Sequence, residues 1–572
     1  MPTPTLQTAV ASYEPYLRAD GHLIDPVIGQ PTQYSTPYHA LCQAVLALKG
    51  DPARRDQHLN NAVRGFDAAL THLADPAMPI NISGMERETG QVRRTNHRDF
   101  FWPPLLKTYR ILKNLAAPQT ASFAERLAAV DILAAFRSRP PSNWAMVWLS
   151  GEWMRHKEGL SPFDLAQIDE WLGIFFQNHV LLDQGLYQEP GHPNSYDLFT
   201  RYHMADMVLD GYDGAWRDQM ETLMQTGLAR SLSVQLSDGS LASAYRSTGQ
   251  TWTLGAQCAY FTHAANYFQT AGQPQRAASA RSAAGRAFAS FGRWQRPGGP
   301  YSPVENLLPP AYRVGYEGYT ADGHYGNLAM GFLAVAILGG FDEPASLESV
   351  TTPAQTFIED DPTYRAIARR GPYSLHANTF PSPRYDGFGI VDLTFGPDRR
   401  LHFASSARHL SSEKFYNLGL AVRQEPGLSE LLVIAQQDPN LIGAIEKGST
   451  ESSFAFKARV KGAPYIYEMA AQIDGDGVHI EERTPDLIGP KTLLIPYLRD
   501  GGWPETTQAS IDGSVIRLSL GQEIIRIQIE AEIEFALDLP HGYENRRGLC
   551  GLLRIDLAGN LEGIHYQVAI EA

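Results

Sequence analysis

Along residues 38–338 apolar positions recur every three or four residues, in blocks of 12 to 18 residues separated by polar loops bearing Gly and Pro. Residues 59–73 carry Val63, Phe66, Leu70 and Leu73 on one face, and 104–115 carry Leu105, Tyr109 and Leu112. The same period runs through 38–49, 123–136, 143–157, 162–176, 194–209, 216–232, 254–270, 274–291 and 327–338. Many of these helices are apolar on more than one face. Successive helices of this length pair as hairpins. A series of hairpins can close into an (α/α) toroid or incomplete barrel, one helix set inside and the other outside.

The pattern changes after residue 345. Residues 346–385 hold Pro353, Pro362, Pro372, Pro381 and Pro383 with the acidic run Glu359-Asp-Asp361, and read as a linker. Beyond it the period is two. Strands are expected at 389–395, 401–404, 430–435, 453–460, 465–467, 492–496, 514–519, 524–529 and 553–557. Asp474-Gly-Asp-Gly and Asp512-Gly supply hairpin turns. The expected fold is multidomain α+β: a toroid over 1–345, the linker, and an antiparallel β-sandwich over 386–572.

Composition narrows the chemistry. The chain has 572 residues, 43% of them hydrophobic, enough for two domains. Its net charge of −14 and lack of a basic run argue against nucleic acid, so an anionic ligand must be met by local arginines. Cys42, Cys258 and Cys550 lie far apart and have no metal-ligand spacing, so neither a disulfide framework nor a metal site is expected. The first residues show no signal-peptide pattern, and no apolar run is long enough to span a membrane. The expectation is a cytoplasmic protein without cofactor, although a trimmed leader would leave the same pattern. No Gly-rich phosphate loop or Gly-x-Ser-x-Gly elbow occurs.

The densest chemistry lies in 184–203, Gln-Gly-Leu-Tyr-Gln-Glu-Pro-Gly-His-Pro-Asn-Ser-Tyr-Asp-Leu-Phe-Thr-Arg-Tyr-His. A loop broken by Gly185, Pro190, Gly191 and Pro193 leads into a helix with Asn194 as candidate N-cap. Tyr196, Thr200, His203 and Met207 share one face of that helix. The alternative is a junction whose Tyr and His are satisfied core residues. Arg201 follows Asp197 by four residues and has a rival role as its ion-pair partner.

Other polar loops precede the expected inner helices, and together they would open on one rim. Arg93 and Arg94 stand before Asn96-His97-Arg98-Asp99 and could bind a carboxylate, or form a solvated basic loop. Asn143 opens a helix, as substrate ligand or as N-cap. Tyr245 and Arg246 precede Trp252. Tyr319 to Asn327 contains Asp322 and His324, and a further loop runs through Tyr34 to His39.

The order of Asn143-Trp144, Gln184-Gly-Leu-Tyr-Gln-Glu189, Tyr196-Asp197 and Tyr202-His203 resembles the heparinase II/III-like and related bacterial α/α-toroid carbohydrate enzymes. Ser142-Asn-Trp and the Tyr-Asp-x-Phe stretch resemble a bacterial family that includes β-glucuronidases. The likeness covers roughly residues 90–270. Trp144 stands where the lyases have His, Gln184 where they have Asp, and Asp197 where they have His. These departures leave the base open.

The resemblance implies an enzyme that cleaves uronate-containing oligosaccharides. In β-elimination, Tyr196 or Tyr202 with His203 or His192 would move protons. Asn143 and Arg201 would neutralise the carboxylate, with Asn96, His97, Tyr245, Arg246, Trp252 and His324 as further substrate contacts. In hydrolysis of β-glucuronidase type, Glu189 and Asp197 would be the carboxyl pair, with Asp322 a third candidate. A non-catalytic glycan-binding protein on the same scaffold is the third reading.

Overall fold

The computed structural model describes residues 1–75, 81–86, 89–95, 98–136, 142–189, 194–242, 246–247, 249–341, 365–379, 388–404, 417–423, 431–433, 441–450, 452–460 and 466–571. Helices α1 (Pro2–Ser12), α2 (Ser35–Lys49), α3 (Arg55–Ala74), α4 (Trp102–Asn114), α5 (Thr120–Ala129), α6 (Ile132–Ala135) and α7 (Asn143–Lys157) form the first part of the chain. Then follow α8 (Leu165–His179), α9 (Asn194–Leu209), α10 (Arg217–Val234), α11 (Trp252–Thr270), α12 (Pro274–Gly292) and α13 (Asp322–Leu338).

Six of these helices pack in a closed circuit: α2 on α4, α4 on α7, α7 on α9, α9 on α11, α11 on α13, and α13 back on α2. Outside it, α3 covers α2, α8 covers α7, α10 covers α9, α12 covers α11 and α1 covers α13. Sequence sorts the two sets. Every residue of α13 from Asp322 to Ile337 is buried, as befits a helix covered on all sides. The outer α12 buries one face of small residues, Ala277, Ala280, Ala283, Ala284 and Ala287. Within the ring Gly255 of α11 lies directly against the Ala329 carbonyl of α13.

Several elements differ from the expected pattern. The block at 123–136 is two helices, because Asp131 accepts from the Leu133 and Ala134 N–H groups and caps a new turn. Two short antiparallel hairpins interrupt the helices: β1 (Asn81–Met85) with β2 (Val92–Thr95), and β3 (Val180–Leu181) with β4 (Leu186–Tyr187).

The rest of the chain is β: β5 (Arg365–Arg370), β6 (Tyr373–Asn378), β7 (Gly389–Thr394), β8 (Gly419–Arg423), β9 (Leu431–Val433), β10 (Leu441–Thr450), β11 (Ser453–Val460) and β12 (Ile466–Ile473). Next come β13 (Val478–Arg483), β14 (Lys491–Asp500), β15 (Gln508–Asp512), β16 (Val515–Leu520), β17 (Glu523–Ile529), β18 (Ile533–Asn545), β19 (Gly548–Leu557) and β20 (Gly563–Glu571). Three antiparallel sheets run in the orders β10-β11-β12-β13-β20-β17-β16-β15, β18-β19-β14-β8-β9 and β5-β6-β7. One apolar core joins them, with Phe456 and Ile480 from the first, Ile495 and Leu553 from the second, and Leu375 and Ile390 from the third. The chain is thus mixed α+β.

Strands β5 and β6 fall inside 346–385, the stretch expected to be a linker. All of β6 is buried, so both of its faces are covered and its residues do not alternate as a half-exposed strand would. At 401–404 the expected strand is a single bridge, Phe403 to Tyr497.

The β18–β19 turn meets the helical part of the chain. Arg547 bonds Asp392 at 2.5 Å and Glu305 at 3.3 Å, and the Arg546 carbonyl accepts from Asn306 at 3.0 Å. Burial opposes the Asp392 charge, but Arg547 beside it holds its carboxyl well below the usual range.

Gly255→Ala tests the tightness of the ring. Alanine favours a helix, yet its Cβ would lie 2.4 Å from the Ala329 carbonyl oxygen. Urea denaturation is expected to show a loss of about 1–3 kcal/mol.

Candidate active site

The inner helices all begin on one side of the ring, and a cavity of about 340 Å³ sits there. Each inner helix contributes at or near its N-terminus: Tyr34 before α2, Phe100 before α4, Trp144 on α7, Tyr196 and Phe199 on α9, Trp252 on α11, Tyr325 and Leu328 on α13. Hairpin β1–β2 adds Ser83, Arg93 and Arg94, and the loops before α11 and α13 add Arg246 and Tyr319. The aromatic rings brace one another. Tyr34 stacks on Phe100 at 4.8 Å, Phe100 on Phe199 at 5.7 Å, and Tyr196 lies 6.0 Å from Trp252.

The local field opposes the charge of the whole chain. Net charge is −14, yet the described lining holds three arginines and neither Asp nor Glu. Six helices begin around it, and their dipoles add their positive ends. An anion is the ligand such a mouth favours.

Behind the lining, Glu189 gathers three donors. Asn143 Nδ2 reaches its Oε2 at 2.8 Å, the Tyr187 hydroxyl reaches the same oxygen at 2.7 Å, and Arg246 bonds Oε1 at 2.5 Å. Asn143 is therefore a buried ligand of Glu189, and Glu189 anchors Arg246. The guanidinium lies over the Tyr196 ring, 5.1 Å from its centroid. Burial works against the Arg246 charge, but Tyr196 and Glu189 outweigh it and raise its pKa.

The Tyr196 hydroxyl is 2.9 Å from Ser247 Oγ, which is 3.3 Å from the Tyr319 hydroxyl. Ser247 has φ of +61°, a left-handed conformation costly for a residue with a side chain. Its N–H donates to Glu317 Oε1 at 3.2 Å. Burial pushes the Tyr196 phenol up to about 12, with Arg246 pulling the other way.

The remaining expected residues go elsewhere. Tyr202 and His203, each 1% exposed, belong to the core of the ring. His203 Nδ1 pairs with Ser150 Oγ at 2.8 Å, and Tyr202 packs on His203, His263 and Phe332. His203 shares the helix face of Tyr196, but α9 runs inward from the mouth. Seven residues along it descend about 10 Å, so only the first two turns reach the cavity, through Tyr196 and Phe199.

Arg201 pairs with Asp197 at 2.6 Å and also bonds Gly227, Ser231 and Tyr260. Asp322 is paired with Arg296. His324 is buried against Tyr34 and Tyr325. Asn194 donates to the Ala242 carbonyl at 2.8 Å. His192, Asn96, His97 and Tyr245 lie outside the described residues.

Of the expected residues, Tyr196, Arg246 and Trp252 line the cavity, as do Arg93 and Arg94. The roles of Tyr187, Ser247 and Glu317 carried no sequence signal beyond their polar loops.

No family model matches the chain, and no curated protein matches it. Among solved structures, Streptomyces coelicolor chondroitin AC lyase is 12% identical, with TM-score 0.49 over 100% of this chain and 79% of that one. A Paenibacillus xanthan lyase is 10% identical, with TM-score 0.47 over 99% of this chain and 56% of that one. A heparinase III is 8% identical, with TM-score 0.36 over 92% and 90%. These neighbours are α/α-toroid carbohydrate-active enzymes. At such low likeness, the chemistry of this chain rests on its own residues.

The core position of His203 has a pH signature. Burial lowers its pKa from 6.5 to about 3. Between these values the unfolded chain binds a proton that the folded chain refuses, so stability present above pH 6.5 falls as pH drops toward about 3. Denaturation midpoints measured across this window should fall less steeply for His203→Gln than for the natural chain. Equal slopes would place His203 in a more solvated setting.

Proposed function

We propose that this mouth binds a uronate-containing oligosaccharide and cleaves it by β-elimination. The observation that supports it most is Tyr196 in the cavity wall with Arg246 laid over its ring. Elimination needs a proton taken from the carbon beside a carboxylate, a proton given to the departing oxygen, and neutralisation of that carboxylate. A phenol can perform both transfers. Arg246, with Arg93 and Arg94, supplies the cationic donors, and a guanidinium fork suits a planar carboxylate. Trp144, Trp252 and Tyr34 line the same cavity, and aromatic linings suit sugar rings.

Hydrolysis calls for two carboxyl groups flanking the bond at about 5–9.5 Å. The candidates are engaged elsewhere: Glu189 by Asn143, Tyr187 and Arg246, Asp197 by Arg201, and Asp322 by Arg296. None of the three is among the lining residues. This favours elimination over the two-carboxylate route.

Digestion of a panel of uronate-containing oligosaccharides, followed by absorbance and mass, tests the reading. The expected product carries a conjugated double bond and is lighter than its hydrolytic counterpart by one water. Tyr196→Phe should lower kcat by roughly 10²–10⁴-fold, the usual weight of a proton-transfer group. Arg246→Ala should cost most on carboxylated substrates and little on their carboxyl-reduced forms. A product of full hydrolytic mass would sink the reading, and binding without turnover would mark a glycan-binding protein.

A further inference from the structure

We propose that Ser247 is a positioning residue of this site, giving its hydroxyl hydrogen to the Tyr196 oxygen when Tyr196 acts as the base. The inference rests on the elimination reading and deepens it.

Ser247 links two residues of the cavity lining. Its Oγ lies 2.9 Å from Tyr196 Oη and 3.3 Å from Tyr319 Oη. Tyr196 and Tyr319 both line the cavity, and Ser247 itself is buried. Its backbone is pinned as well. The Ser247 N–H donates to Glu317 Oε1 at 3.2 Å, and its carbonyl accepts from the Gln250 N–H at 3.4 Å. The neighbouring carbonyls are tied in the same way. Ser195 Oγ, on α9, donates to the Arg246 carbonyl at 3.3 Å, and the Glu305 N–H donates to that of Gly249 at 3.1 Å. The Ser247 oxygen is thus fixed from α9 and from the chain between α12 and α13.

The backbone conformation points the same way. Ser247 has φ of +61°, which glycine adopts without cost and a residue with a side chain does not. The hydroxyl is what this chain gains there in exchange. Such strain gathers at functional sites. Among the described residues other than glycine, Tyr34, Ala116, Ser247 and Arg313 have positive φ; Tyr34 lines this cavity, and Ser247 bonds a residue that does.

The chemistry needs such a donor. A phenolate carries no hydrogen, so when Tyr196 is ionised the hydrogen between the two oxygens is that of Ser247. A hydrogen bond given to the charged form favours that form. Burial pushes the Tyr196 phenol up to about 12; Arg246 and the Ser247 hydroxyl pull it down, while Glu189 and Glu317 raise it. The other titratable groups that feel its charge are Tyr34, Tyr319 and Tyr325. In the reaction the phenolate takes the proton from the carbon beside the carboxylate. The electron pair of that bond enters the new double bond, and the leaving oxygen departs with the pair of its own bond. That oxygen then takes the proton from Tyr196, which restores the phenolate beside Ser247.

The test uses the full chain and an oligosaccharide from which it makes unsaturated product. Ser247→Ala removes the hydroxyl and keeps the strained backbone. Ser247→Gly removes the hydroxyl and the strain together. Each should lower kcat by roughly 10- to 100-fold, the weight of a hydrogen bond to a charged group, with KM little changed. In both, the rise of kcat with pH should move to higher pH, because the phenolate is harder to form. Ser247→Gly should melt at a higher temperature than Ser247→Ala and yet be no more active. In a Tyr196→Phe chain, adding Ser247→Ala should change the residual kcat no further. Circular dichroism establishes that the variants are folded. Folded variants with the natural kcat and pH dependence overturn the proposal. So does a glycine variant that recovers activity along with its melting temperature, which would make Ser247 merely structural. So does a Ser247→Ala effect that persists in full without the Tyr196 hydroxyl. In any of these cases, an inactive Tyr196→Phe leaves elimination by Tyr196 standing. If the natural chain gives no unsaturated product from any uronate substrate, the role of Ser247 and the elimination reading fall together.

Discussion

Closure of six inner helices into one circuit is the constraint on which the candidate site depends. A ring of alternating inner and outer helices brings every inner helix into the mouth by the same end. Residues from Tyr34 to Leu328 then meet around one cavity. The packing that permits this is close, with Gly255 against the Ala329 carbonyl and Gly331 against the Tyr38 ring. Because the inner helices are covered on all sides, polar groups along them must be paired. The Ser150–His203 contact meets that requirement deep in the ring, and the Asp197–Arg201 pair meets it between α9 and the outer α10.

The same closure makes a positive mouth in a negative protein. A net charge of −14 disfavours long-range attraction of an anion, and salt screens distant charges within about 10 Å. What an entering carboxylate meets is local: Arg93, Arg94 and Arg246 and the helix ends behind them. Arg246 is fixed before any ligand arrives, by Glu189 on one side and the Tyr196 ring below. Fixed charge of this kind needs no reorganisation when charge develops in a reaction.

The β part of the chain takes part in that arrangement. The β18–β19 turn carries Arg546 against Gly249 and Gly315, the glycines flanking the loops of Ser247 and Glu317. Both glycines have positive φ, and a Cβ on either would run into Arg546. Arg547 ties the same turn to Glu305 and Asp392. The loops that bear the hydroxyl chain are thus held from the ring on one side and from the sheets on the other.

Periodicity made much of the architecture legible. A period near 3.6 marked most of the long helices, and the switch to a period of two marked most of the strands, because these patterns follow directly from which side chains must leave water. Polar loops before Trp252 and before His324, and the stretch ending in His203, each hold residues that line the cavity. Periodicity could not tell depth along a helix. Tyr196 and His203 share a face, yet one lies at the mouth and the other two turns down in the core. Nor could it show that Asn143 would serve Glu189, or that Ser247 would link Tyr196 to Tyr319. Those contacts join residues from 46 to 72 positions apart, and only closure of the ring brings them within reach. Sequence alone determined which segments are helix and strand and which loops are rich in reactive groups. Tertiary structure decided which of those groups share a cavity, because that depends on the end from which each helix enters the ring.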